Sequence, residues 1–296
     1  MQKHKAGFVN IIGLPNVGKS TLMNALVGER LSIITHKAQT TRHRILGIVN
    51  DENYQIVFSD TPGYINDPAY KMQESMNDFV SSAFKDADTF LYMTELGAAI
   101  EKQEPIYKNL KDNTTPTLLL INKIDTAKSE EQVKEYVEAW QNTLPNATIL
   151  CISALEKFNI ESILNFVVEK LPVSPAYYDK DALTDKSERF FMSEIIREQI
   201  LEQYKQEIPY ATQVEVESFK DEPKIIRISA VIYVERDTQK SIIIGKGGAA
   251  IKKVGTNARI RMERFLGKKV FLELFVKVKD KWRSDDLQLK KFGYKN

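Results

Sequence analysis

The stretch Gly13-Leu14-Pro15-Asn16-Val17-Gly18-Lys19-Ser20 has the residue types and spacing to do chemistry. Two glycines four residues apart, followed by Lys and Ser, fit a loop whose backbone N–H groups turn inward on phosphates. Lys19 can then reach β- and γ-phosphates, and the Ser20 hydroxyl can ligate Mg²⁺. Such a loop must join a buried strand to a helix. The apolar run 8–12 before it reads as that strand. Residues Thr21 to Gly28, with Leu22, Met23, Leu26 and Val27 at helical spacing, read as that helix.

More chemistry-bearing residues follow in order. The polar stretch 31–44 contains Ala38-Gln39-Thr40-Thr41-Arg42-His43-Arg44, a loop where a Thr can join the Mg²⁺ shell. Thr41 is favoured over Thr40 for that role, and His36 and His43 read as exposed polar residues. Asp60-Thr61-Pro62-Gly63 ends an expected strand. Asp60 can hold Mg²⁺ and Gly63 can offer its N–H to a γ-phosphate. Tyr64 stands where many GTPases orient water with Gln, a task an aromatic ring cannot perform. Asn122-Lys123-Ile124-Asp125 names the base. The Asp125 carboxylate can accept from both N1–H and the exocyclic amine of guanine, whereas adenine would leave it unpaired. Asn122 can meet the other edge of the base, and the Lys123 stem can pack on its face. Ser153-Ala154 would close over the base with a backbone N–H.

Strands at 45–49 and 54–58 form a hairpin around Asp51-Glu52-Asn53, and strands at 89–93, 118–121 and 149–152 alternate with helices at about 130–144 and 160–171. The expected first domain, 1–171, is α/β: a mostly parallel sheet with one antiparallel edge hairpin and ligand loops at strand C-termini. Within 296 residues of which 43% are hydrophobic and 28% charged, no apolar run reaches the length of a membrane span. The residues before the first strand leave no room for a signal peptide. The single cysteine, Cys151, reads as buried and inert, which fits a reducing cytoplasm.

The net charge of +2 conceals an asymmetry: residues 1–171 carry 17 basic and 21 acidic groups, and residues from 236 onward carry 17 against 6. An acidic first part and a basic last part suit a nucleotide domain followed by a nucleic-acid contact. A linker is expected at 172–188, beginning Pro172-Val173-Ser174-Pro175. From 189 to 296, a helix at 190–204, strands at 213–219 and 224–234, two helices joined by a glycine-rich loop, the second at about 254–266, and a strand at 270–278 give the α-β-β-α-α-β order of a type II KH module. Ile244-Gly245-Lys246-Gly247-Gly248, with Ile251 and Lys252, is its Gly-x-x-Gly loop. Gly245 and Gly248 let a single-stranded backbone approach, and Lys246 adds charge. Lys279, Lys281, Arg283, Lys290 and Lys291 read as a solvated basic tail.

On these motifs, and on Phe191-Met192-Ser193-Glu194-Ile195-Ile196-Arg197-Glu198 as an opening KH helix, nearly the whole chain resembles the Era family of bacterial ribosome-assembly GTPases. The resemblance implies Mg²⁺-dependent hydrolysis of GTP with slow turnover. It also implies binding of single-stranded RNA near the 3′ end of small-subunit ribosomal RNA during maturation of the small ribosomal subunit. It further implies a monomer in the cytoplasm, associated peripherally with the cytoplasmic face of the cell membrane. Resemblance to cation-dependent GTPases suggests K⁺ held near Asn16. The rival readings are a related GTPase acting on another RNA, and a nucleotide-regulated RNA-binding protein with little catalysis.

Overall fold

The computed structural model describes residues 3–295 apart from 36 and 38, so His36 and Ala38 lie outside the described residues. The chain forms two compact units, one of residues up to Ala69 with Gln73–Asp185, the other of Tyr70–Met72 with the chain from Lys186.

In the first unit the order is β1 (Lys5–Gly13), α1 (Lys19–Val27), β2 (Ile45–Asn50), β3 (Tyr54–Asp60), α2 (Lys71–Lys85) and β4 (Thr89–Glu95). Then come α3 (Glu104–Lys111), β5 (Thr117–Asn122), α4 (Glu130–Thr143), β6 (Thr148–Cys151) and α5 (Ile160–Lys170). The sheet order is β2-β3-β1-β4-β5-β6, with only β2 antiparallel to its neighbour. Central strands are apolar on both faces because each face carries its own core. Val9, Ile11, Leu91, Met93, Leu118 and Leu120 face Leu22, Met23 and Ile163 on one side. Ile12, Phe90, Tyr92, Leu119 and Ile121 face Ile106 and Trp140 on the other. The helix α1 stops at Gly28, whose left-handed backbone (φ 81°) lets its N–H return to Asn24 O. Cys151 is half-buried rather than fully buried, and burial pushes its thiol pKa up.

Residues 172–185, which the sequence presents as a connector, run as a strap on this same unit. Ile48 N donates to Leu183 O at 2.9 Å, Leu46 N to Asp185 Oδ1 at 3.1 Å, and Asn50 Nδ2 to Ala182 O at 3.1 Å. The fully buried Gln55 accepts from Tyr177 N and Tyr178 N and donates to Tyr178 O. The strap thereby covers the edge of β2.

In the second unit, α6 (Glu188–Gln203), β7 (Gln213–Asp221), β8 (Ile226–Val234), α7 (Asp237–Ile244), α8 (Ala249–Leu266) and β9 (Val270–Val278) give the α-β-β-α-α-β order of the KH fold. β8 is central, antiparallel to β7 and parallel to β9. The helix α8 begins five residues ahead of the sequence expectation. Its apolar rhythm marks only the buried residues Val254, Ala258 and Met262, whereas its first turn springs from the left-handed Gly248.

The expected solvated tail is instead folded. Trp282 is fully buried and donates Nε1–H to Ala211 O at 3.0 Å. A short helix, α9 (Asp286–Lys291), buries Leu289, and Tyr294 OH donates to Gln213 Oε1 at 2.9 Å. Phe292 lies 5.4 Å from Tyr233, and Lys279 sits over both rings. Four large apolar residues scattered among lysines supply the driving force. Among the described residues, no helix is long and apolar enough to cross a membrane.

Each unit holds one of the two tryptophans, and the two differ in one respect. Trp140 packs edge-on against Tyr92, Tyr107 and Tyr136, yet its Nε1 has no partner among the described residues. Trp282 has one. Trp140→Ala should cost about 3–5 kcal/mol. Trp282→Phe should cost about 1–3 kcal/mol more than Trp140→Phe, because it strands the Ala211 carbonyl. Urea unfolding followed by circular dichroism, with the remaining indole reporting the other unit, checks both.

Candidate functional site

The phosphate-loop residues lie at the C-terminal end of β1, where the backbone must turn away from the sheet. A Cβ on Gly13 (φ 154°) would sit 2.3 Å from Met93 O, so only glycine fits. Leu14 and Pro15 are half-buried, Asn16 is exposed in the left-handed region (φ 65°), and Val17 packs into the core. Gly18 caps α1, whose first turn carries Lys19, Ser20 and Thr21, and the helix N-terminus favours an anion here. The buried Lys19 folds back to donate to Gly13 O (3.1 Å) and Leu14 O (2.8 Å). Burial lowers its pKa to about 8, against the opposing charge of Asp60.

Three residues distant in sequence converge beside it. Ser20 Oγ donates to Asp60 Oδ2 at 2.8 Å and lies 2.8 Å from Thr41 Oγ1, which is itself 3.3 Å from the same oxygen. Burial raises the Asp60 pKa, opposed first by the Lys19 charge and then by hydroxyl donors including Ser20 and Thr41. Asp60 Oδ1 is buried with no hydrogen-bond partner among the described residues. One carboxylate, two hydroxyls and an orphaned carboxylate oxygen are a hard-oxygen set that suits Mg²⁺, an ion that keeps waters and phosphates as its other ligands. Thr40 turns elsewhere: its hydroxyl donates to Lys37 O at 2.6 Å and meets Thr35 Oγ1 at 2.7 Å. Thr61 Oγ1 donates to Ile11 O at 2.8 Å, which fixes the start of the Thr61-Pro62-Gly63 turn. The Gly63 backbone lies against Pro15, close enough that a Cβ would be 2.6 Å from Pro15 N. The half-buried Tyr64 packs against the core around Ile12 and Tyr92.

At the end of β5, Asn122 is 3% exposed and serves the fold on both sides. Its Nδ2 donates to Val17 O at 2.8 Å, and its Oδ1 accepts from Ala154 N at 2.9 Å. Asn122 and the Ala154 N–H, both expected at the base, thus bind each other. Lys123 adopts the left-handed region (φ 63°) and pairs with Glu95, a residue the sequence reading missed. Asp125 is exposed and has no hydrogen-bonding partner among the described residues. Ser153 Oγ accepts from Glu156 N at 3.2 Å.

In the second unit, Gly245 (φ 71°), Gly247 (φ 59°) and Gly248 (φ 78°) form the turn between α7 and α8, with Lys246 and Gly247 exposed. Two side chains at the end of α6 hold its flanks. Tyr204 OH donates to Ile243 O at 2.6 Å, and Gln203 Nε2 to Ala250 O at 2.8 Å. Ile244 is half-buried at the loop's entry. Ile251 and Lys252 line an open cavity of about 280 Å³ with Gly255, Thr256, Arg259, Leu272 and Leu274. The last five escaped the sequence reading, because strand and helix pair only in the fold.

Residues 8–123 match the family model described as a 50S ribosome-binding GTPase, and residues 207–283 match the KH domain model. The chain is 45% identical over 293 residues to the GTPase Era of Syntrophus aciditrophicus, covering 98% of this chain and 95% of that protein. It is 46% identical to the chloroplastic GTPase ERA-like protein of Oryza sativa, over 98% of this chain and 70% of the relative. Two solved structures superpose with a TM-score of 0.94 at 35% identity, covering 99% of this chain and all of theirs. One is Era in complex with MgGDPNP and nucleotides 1506–1542 of 16S ribosomal RNA; the other is a variant of Aquifex aeolicus Era bound to GDP·AlF4⁻. Loop, switch and base residues in one unit and a KH fold in the other agree with these matches over the whole length, and the chain belongs to the Era family of GTPases.

Proposed function

We propose that this GTPase couples GTP hydrolysis to the binding of single-stranded RNA near the 3′ end of small-subunit ribosomal RNA, in assembly of the small ribosomal subunit. The observation that carries the reading is that one chain holds a buried Ser20–Thr41–Asp60 cluster at a phosphate loop and an exposed Gly-x-x-Gly loop in its basic last third. Similarity to a protein solved with MgGDPNP and 16S ribosomal RNA supports it. The division proposed is a GTPase domain over 1–171, completed by the strap at 172–185, and a KH domain from 189. A monomeric state, a cytoplasmic location and a peripheral contact with the cell membrane rest on family membership.

In this reading Gly13 to Thr21 hold the phosphates, Lys19 offsets charge on the β–γ bridge, and Ser20, Thr41 and Asp60 hold Mg²⁺. The metal, when bound, neutralises charge on the phosphate oxygens. Thr61 and Pro62 fix the turn from which Gly63 N–H reaches the γ-phosphate. Tyr64, packed on the core, leaves alignment of the attacking water to backbone and switch groups, and Asn16 would hold any K⁺ that adds positive charge there. Asp125 reads the guanine edge, the Lys123 stem covers one face, and Asn122 with Ser153 and Ala154 sets the depth of the slot.

Three measurements check these assignments. Asp125→Asn should weaken GTP binding by about 10²-fold or more while gaining xanthosine nucleotides, whose edge swaps donor and acceptor; competition binding with GTP, ATP and XTP reads it out. Single-turnover hydrolysis should change by less than about 3-fold in Tyr64→Phe and fall by roughly 10²–10³-fold in Lys19→Ala. Loss of turnover in Tyr64→Phe would transfer the catalytic role to the phenol hydroxyl. For the RNA loop, Lys246→Asp with Gly247→Asp places two anions where phosphates must approach. The space around Gly247 is open and Asp tolerates its left-handed backbone, so the fold should persist. RNA affinity should drop by about 10²-fold or more and lose part of its salt dependence, with GTP hydrolysis retained. Undiminished binding would move the RNA site to the folded basic segment after Val278.

A further inference from the structure

Glu95 ends β4 directly beside Asn122, and the backbone locks the two strand ends together, since Leu96 N donates to Asn122 O at 3.0 Å. From this position the Glu95 carboxylate pairs with Lys123 Nζ, and the side chains remain 38% and 41% exposed. An ion pair this open to solvent contributes little to folding. What it does fix is direction. Lys123 leaves the chain from a left-handed residue, and without a partner its four-carbon stem would sample many rotamers. Paired, the stem favours one course between Glu95 and the turn that carries Asp125.

We propose that Glu95 is a positioning residue for guanine-nucleotide binding, holding the Lys123 stem in place as a preformed wall for the face of the base. The inference rests on the reading that Lys123 covers that face. A wall already ordered before binding removes the loss of side-chain freedom that association otherwise incurs. Glu95 touches no nucleotide atom in this scheme; it acts through Lys123 alone. Guanine-over-adenine selection stays with Asp125.

The test is a double-mutant cycle with Glu95→Gln, Lys123→Gln and both together, plus Glu95→Asp. The full-length protein is used with a fluorescent GDP analogue at physiological ionic strength, where charges beyond about 8 Å are screened. Glu95→Gln should speed GDP dissociation about 3- to 10-fold and raise KM for GTP by a similar factor, with kcat moving less than about 2-fold. Glu95→Asp should recover part of the affinity, and thermal unfolding should stay unchanged. In the Lys123→Gln background, Glu95→Gln should add nothing. Parental dissociation rates in Glu95→Gln, or an effect of equal size without Lys123, would overturn the proposal. If Asp125→Asn fails to exchange guanine for xanthine, the base reading itself falls. If that exchange succeeds and Glu95→Gln is silent, only the present inference falls.

Discussion

Two opposite charges are buried at one end of the sheet, and the nucleotide domain is arranged to make that tolerable. Lys19 and Asp60 are both withdrawn from water, which for a lone ion costs several kcal/mol. The parallel register that sets Ile11 beside Asp60 brings the end of β3 to the loop after β1. Loop carbonyls then take the ammonium protons, and hydroxyls from α1 and the Thr41 segment take one carboxylate oxygen. Among the described residues, the second oxygen has no donor. A site built this way is electrostatically incomplete by itself, which suits a phosphate group with a divalent cation.

Asn122 has an equally broad influence with no charge at all. One amide joins the phosphate loop through Val17 to the loop of Ala154, so the two ends of the nucleotide slot share a single fastener. Removing it would leave a buried carbonyl and a buried N–H unpaired at once, each a penalty of about 1–3 kcal/mol.

Much of this was legible in the sequence. Local patterns carried the strand–loop–helix at 8–28, the hairpin at 45–58 and the KH element order, because in each the period of apolar residues matches the element that buries them. The meeting of Ser20, Thr41 and Asp60 beside Lys19 was anticipated for a different reason: the chemistry expected of them fixes residue type and spacing. What escaped depends on contacts between distant segments. The partnership of Glu95 with Lys123 joins two strand ends, and the cavity wall of Thr256, Arg259, Leu272 and Leu274 joins a helix to a strand. The segment 279–295 was misread as solvated because its lysines outnumber Trp282, Leu289, Phe292 and Tyr294. Those four bury themselves against residues far earlier, such as Ala211, Gln213 and Tyr233.

The strap on β2 also bears on where the first unit can be cut. Excision after residue 171, where the last helix of the sheet layer ends, would bare the N–H groups of Leu46 and Ile48 and unseat the buried Gln55 amide. Such a fragment carries an open, apolar sheet edge able to pair with its own copies. A self-sufficient nucleotide module therefore extends to Asp185, and the fourteen residues that look like a tether in sequence serve as its selvedge.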